Sequence, residues 1–188
     1  MSARRPPPRG RGSPGARFAA ADAERLPFAD GAFDALVCEC AFCTFPDKRA
    51  AAREFARVLR PGGRVGLSDL SRAGALPPDL DDLLAWVACI ADARPVEDYV
   101  ALLEGAGLRV GPVEPHDEAL AGLVRDVRAR LLGAEVLAKL GKLALPAAFG
   151  IERAKSLARS ADAAVRDGRV GYALMVGTKP GQAGRGRG

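Results

Sequence analysis

The stretch "FDALVCECAFCTFPDKRAAAREFARVLRPGGRVGLSD", residues 33–69, decides the fold. Its opening "ALVCEC" (35–40) is an unbroken apolar run of strand length, the pattern of a strand buried on both faces of a parallel sheet. "DKRAAAREFARVLR" (47–60) then places Ala51, Phe55, Val58 and Leu59 on one helical face, with charges opposite. "PGG" at 61–63 stops that helix, because Pro cannot continue it and Gly tolerates the turn. "RVGLSDL" (64–70) is the next strand. Strand, helix and strand predict a right-handed crossover into a parallel sheet.

Working outward, "RFAAAD" (17–22) reads as a short strand, followed by a loop through "AERLPFADGAFD". Downstream, "PPDLDDLLAWVACIA" (77–91) and "PVEDYVALLEGAG" (95–107) read as helices, the first with Pro near its start and acids in its first turns, the second closed by Gly. "LRVGPVEP" (108–115) reads as a strand. A long helical stretch follows, broken near "GKLALP" (141–146), with a further helix over about 150–166. "GRVGYALMVGTKP" (168–180) closes the chain with an apolar strand, entered by a Gly turn and ended by Pro. No internal repeat is apparent.

The chain has 188 residues, enough for one domain with a real core. Apolar residues are 48% and charged residues 27%, ordinary soluble usage, and no apolar run approaches the ~18 residues that cross a bilayer. The basic start "MSARRPPPRGRGSPG" has no apolar segment behind it and so is not a secretory signal; a cytoplasmic location is the expectation. Net charge is +5, concentrated in "RRPPPRGRG" and in "GRGRG" at 184–188. Such tails bind phosphate backbones through charge alone, so an Arg-Gly-tailed nucleic-acid binder stays as one alternative. Solvated ends are the commoner outcome, and seven Phe, two Tyr and one Trp supply no visible stacking platform. The expected domain plan is a disordered tail over 1–16, a partial domain over 17–180 with a helical insertion at about 116–167, and a second disordered tail over 181–188.

Three cysteines, Cys38, Cys40 and Cys43, fall within six positions, with Cys89 as a distant fourth. Strand alternation would point Cys38 and Cys40 to one face and leave Cys43 beyond the strand end, so a zinc site is geometrically unforced and no metal is expected. Small buried core thiols and a substrate-facing cluster both remain open readings. The sole histidine, His116 in "EPHDEAL", stands exposed at a helix start and makes a poor foundation for a nucleophilic triad.

The ordered set "DAERLPFADGAFDALVCECAFCTFPDKRAAAREFARVLRPGGRVGLSDL" resembles the middle of class I S-adenosylmethionine-dependent methyltransferases, especially the type 11 group. An acidic residue stands before "LPF", "DGAFD" leads into a buried strand, and "RVLRPGG" precedes a strand ending in Asp. The resemblance implies an α/β Rossmann-like sheet, mostly parallel with an antiparallel last strand and family order 3-2-1-4-5-7-6. It implies S-adenosylmethionine as cofactor, with Asp22 accepting from the adenine amine, the backbone of Ala23 against the ring, and Cys38 and Glu39 facing the sulfonium. Open α/β sheets bind ligands at the carboxyl ends of their strands, which agrees. The simpler alternative is that Asp22 caps a loop and Glu39 is solvated.

"CECAFCTFPDK" and "ACIADARPVEDYVALLEGAGL" are further similar to arsenite methyltransferases, which implies substrate-facing thiolates at Cys40 and Cys89 and a small acceptor of thiol or arsenic type. The family's front strand with its Gly-rich turn has no counterpart here, since "RGRGSPG" follows no apolar strand. An N-terminally truncated sheet is therefore expected, in which "ALVCEC" becomes an edge that a homo-oligomer or a partner chain would cover. A non-catalytic remnant or regulatory partner is the corresponding alternative function, and weak cofactor affinity the corresponding expectation.

Overall fold

The computed structural model describes residues 18–76, 80, 92–144 and 150–181. The expected tail over 1–16 and all of the expected tail over 181–188 except Gly181 fall outside these residues, as does all of the expected 77–91 helix except Leu80, which is helical and buried.

The central unit is built as its sequence dictates. Strand β1 (Phe33–Glu39) leads through a short 3-10 turn (Phe42–Thr44) to helix α1 (Lys48–Val58), and then to strand β2 (Leu59–Arg72), which pairs parallel with β1. Asp47 caps α1, its carboxylate accepting from the Ala50 amide at 2.8 Å. Ala51, Ala52, Phe55, Ala56 and Val58 form its buried face.

The "PGG" does not lie between helix and strand as a separate stop. Helix α1 ends at Val58, and Leu59 already pairs with Phe33, so Arg60–Gly63 form a bulge inside β2 before Arg64 pairs with Ala35. Gly62 takes φ +81°, the left-handed backbone a Gly supplies without strain, and its amide donates to the Lys179 carbonyl. A Cβ at Gly63 would meet the carbonyl oxygens of Arg60 at 2.9 Å and Asp34 at 3.0 Å.

Helix α2 (Val96–Gly105) ends in a Schellman turn: the Gly107 amide donates to the Glu104 carbonyl and the Leu108 amide to the Leu103 carbonyl, with Gly107 at φ +88°. The expected strand over 108–115 divides into two short pieces, β3 (Arg109–Val110) and β4 (Glu114–Pro115), both antiparallel to the last strand β5 (Val170–Thr178). Between β4 and β5, α3 (Asp117–Lys139) and α4 (Ile151–Arg166) fill the interval expected to be a helical insertion.

The sheet order is β1-β2-β5-β3, with β5 antiparallel between two parallel neighbours. This reproduces the 4-5-7-6 side of the expected family order. Cys38, Val65, Leu67, Ala173 and Met175 belong to one core cluster with α1 and α2. On the other face, Leu70 and Val170 join Leu80, Leu157 and Ala164 in a smaller cluster at one end, under α3 and α4.

Two local expectations are corrected. The segment 18–21 is no strand: it carries no ladder pairing, Phe18 is exposed, and only an isolated Asp22–Arg25 bridge follows. Strand β1 is not buried on both faces: among the described residues it is the sheet edge, and Val37 is 84% exposed. Among the described residues no paired strand lies beyond it and no helix covers Val37, so an apolar sequence alone does not produce burial.

Gly63→Ala should therefore lower stability by about 1–3 kcal/mol, because backbone oxygens rather than flexible side chains occupy the required space. Urea unfolding of the two chains measures it, and an unchanged midpoint would contradict the bulge geometry.

Candidate functional site

The carboxyl end of β1 is where the sequence-predicted residues meet the rest of the structure. β1 ends at Glu39, and Cys40 turns the chain with φ +47°, the one non-glycine residue with positive φ among those described. Two hydrogen bonds impose that turn. The Cys40 amide donates to the Ser68 carbonyl at 2.9 Å, and the Cys43 amide donates to the Asp69 carboxylate at 2.9 Å. Asp69 is 1% exposed and also accepts from the Leu70 amide at 2.8 Å. A buried carboxylate is tolerated because backbone donors meet it.

The turn separates the cysteines. Cys38 points into the core beside Leu67 and Phe42, where burial first, and then the Asp69 charge, push its thiol up to about 11. It is thus a protonated, poorly nucleophilic thiol at neutral pH. Cys43 is buried in the 3-10 turn. Cys40 is exposed, and its Sγ lies 3.5 Å from the Tyr172 hydroxyl on β5. The expectation that Cys38 and Cys40 share a face is corrected, because the chain leaves β geometry at Cys40. Cys89 lies outside the described residues. Among those described, no group of three or more His, Cys, Asp or Glu is arranged to hold a metal ion.

Asp22 and Ala23 sit in the loop before β1. The Asp22 carboxylate accepts from the Glu24 amide at 2.9 Å, a local Asx turn of the kind the loop-cap alternative describes. Glu24 accepts from the amide of Asp47, the cap of α1, at 2.7 Å, which ties the turn to the N-terminus of α1. Helix α1 holds the rest of the loop. Arg57 donates to the carbonyls of Leu26 and Phe28 and pairs with Asp30 and Glu54, while Glu54 accepts from the Leu26 amide. The Arg57 hydrogen bonds hold the Glu54 carboxyl below the usual carboxylate range.

Opposite this loop, a cavity of about 460 Å³ opens between the sheet end and helices α3 and α4. Glu39, Cys40 and Tyr172 form its polar wall, and Leu70, Leu120, Leu123, Val124 and Val165 line most of the remainder. Burial is the main cause raising the Tyr172 hydroxyl above its ordinary pKa, so it stays protonated at neutral pH. Its hydrogen-bonding neighbours are Ser68 and Cys40. Sequence reading missed Tyr172, Ser68 and Asp69 as site residues; only the Asp that closes "RVGLSD" gave any signal. His116 stands at the start of α3, half-exposed, with its amide donating to the Tyr172 carbonyl.

For S-adenosylmethionine the described residues offer a carboxylate and backbone turn at Asp22–Ala23 and a carboxylate at Glu39, chemistry that fits an adenine edge and a sulfonium. A loop for the methionine end is not among them.

Residues 3–67 match the methyltransferase domain family of type 11. The chain is 35% identical over 95 residues to an arsenite methyltransferase of Halobacterium salinarum, covering 50% of this chain and 24% of that protein. It is 38% identical over 94 residues to the methyltransferase GfsG of Streptomyces halstedii, covering 48% and 34% respectively. The chain thus spans about a third or less of these curated relatives. In fold, it superposes on Haemonchus contortus phosphoethanolamine N-methyltransferase 2, solved with phosphomonomethylethanolamine and S-adenosylhomocysteine, with TM-score 0.67 and 17% identity over 85% of this chain and 36% of that one.

Asp69→Asn removes the charge and one of the two buried oxygens that accept from the Cys43 and Leu70 amides, and should cost about 1–3 kcal/mol. Hydrogen exchange at the Cys43 and Leu70 amides checks the cause: both should accelerate well beyond the amides of α4. Acceleration spread evenly over the chain would contradict the assignment.

Proposed function

We propose that this chain, which belongs through residues 3–67 to the type 11 methyltransferase domain family, takes part in S-adenosylmethionine-dependent methyl transfer to a small-molecule acceptor. The observation that carries this is the position of the β1 carboxyl end. The Asp22–Ala23 turn is tied to the N-terminus of α1, the helix that follows that end, and the cavity walled by Glu39, Cys40 and Tyr172 opens at the end itself. In this reading Asp22 accepts from the adenine amine, the Ala23 backbone lies against the ring, and Glu39, at the end of the strand, faces the sulfonium. Cys38 acts through its backbone there, since its side chain is committed to the core.

When bound, the cofactor supplies an activated methyl group. The protein's task is then to align donor and acceptor and exclude water, which accounts for much of such a rate without a nucleophilic triad. Sparse acid and base groups at the cavity wall suit that division of labour.

A narrower reading has a specific observation behind it. Cys40 is the exposed thiol at the cavity wall, and the Halobacterium salinarum relative is named for arsenite. Cys40 with Cys89 would then meet a thiophilic acceptor. A partner chain or second copy over the β1 edge completes the proposal, as the sheet leaves that edge uncovered among the described residues.

Calorimetry with S-adenosylmethionine tests the cofactor site. Binding should be weaker than micromolar, and Asp22→Ala should weaken it a further five- to tenfold, the worth of one hydrogen bond. Binding indifferent to Asp22 would contradict the adenine assignment. In a methylation assay with arsenite, full activity of both Cys40→Ser and Cys89→Ser would eliminate the thiolate reading.

A further inference from the structure

We infer that the acceptor site takes an apolar molecule of ring-pair or short-isoprenoid size bearing one hydroxyl, and that Tyr172 is the residue that orients this hydroxyl. The inference rests on the methyl-transfer reading for the word acceptor, but its evidence is the shape and chemistry of the cavity.

At about 460 Å³ the cavity lies within the ~300–1,000 Å³ typical of small-molecule sites. Its walls are unequal. Helices α3 and α4 contribute Leu120, Leu123, Val124, Ala161 and Val165, all without a charge or amide. Leu123 remains 61% exposed although it lines a concavity. An apolar occupant that covers these side chains gains ~25 cal/mol per Å² removed from water, whereas a small oxyanion would lose its hydration and find no donor there.

The polar groups are confined to the sheet end. There Tyr172 is fixed by β5 pairing and by the Asp117 carboxylate, which accepts from its amide at 2.9 Å. Its hydroxyl reaches Cys40 Sγ and Ser68. Strand alternation puts Glu39, Leu70 and Tyr172 on one sheet face, whereas Cys38 lies on the other. Among the described cysteines, the cavity wall therefore carries Cys40. A protonated Tyr hydroxyl at the polar end of an otherwise apolar cavity, beside Glu39 and Cys40, is suited to holding one oxygen of an apolar guest.

Binding of 1-naphthol to the full chain, without S-adenosylmethionine, reads this directly by calorimetry, with naphthalene as the ligand lacking the hydroxyl. Ala161→Phe, which fills the cavity, should weaken 1-naphthol at least tenfold. Tyr172→Phe should weaken it about fivefold and leave naphthalene within twofold. Circular dichroism verifies folding, and Val124→Phe serves as a second filling variant. No binding of 1-naphthol, or binding undiminished in both filled variants, would overturn the inference. So would an equal loss of both ligands in Tyr172→Phe, which would make Tyr172 merely structural. The two readings fail separately. Cavity-dependent binding in a chain that transfers no methyl refutes the activity alone, and arsenite methylation undiminished in Ala161→Phe refutes the apolar acceptor alone.

Discussion

The buried carboxylate of Asp69 is the constraint on which the site depends. It sits near the end of β2 and accepts amides from two segments, Cys43 after β1 and Leu70 of its own strand. By capturing Cys43 it forces the chain to leave β geometry at once, and Cys40 absorbs the change with its left-handed backbone. A non-glycine residue holds such a conformation only where its surroundings over-determine it. The result is a division of labour among like residues: Cys38 and Cys43 fill the core, and Cys40 reaches the cavity wall.

A second group of contacts sets the opposite rim. Glu54 and Arg57, one turn apart on α1, bind the loop carbonyls and amide of Leu26 and Phe28. Helix α1 thus serves both sides of the site: its apolar face packs on the sheet, and its exposed side fixes the loop carrying Asp22. Helices α3 and α4 act from the other side of the sheet. They cover only the end near Leu70 and Val170, and the incompletely filled space beneath them is the cavity.

Much of the fold was legible because its signals are local. The α1 face follows from the spacing of Ala51, Phe55 and Val58, and the α2 ending follows from Gly107. The antiparallel strand between parallel neighbours came from the family resemblance, and the register of β5 bears it out. What failed was non-local. "ALVCEC" looks doubly buried by composition, but burial depends on which elements lie alongside: among the described residues none lies over Val37, and β1 is the edge that the truncated-sheet expectation implied. "RFAAAD" has strand composition, but among the described residues it makes no ladder beyond the isolated Asp22–Arg25 bridge. The "PGG" stop was right about the turn and wrong about the strand's beginning, since Leu59 pairs before the bulge. Tyr172 was hidden in an apolar strand, and only antiparallel pairing with Leu70 reveals that it shares a face with Glu39. Cys40 could not be separated from Cys38 by alternation, because a carboxylate 29 positions on decides where the strand ends.

Thiol footprinting tests this account most directly. In the folded chain at pH 8, iodoacetamide should modify Cys40 at least ten times faster than Cys38 or Cys43, as peptide mass spectrometry reads it, and saturating 1-naphthol should slow Cys40 while leaving the other two rates unchanged. Comparable labelling of Cys38 and Cys40, or a Cys40 rate indifferent to 1-naphthol, would contradict a turn at Asp69 that delivers Cys40 to an apolar acceptor cavity.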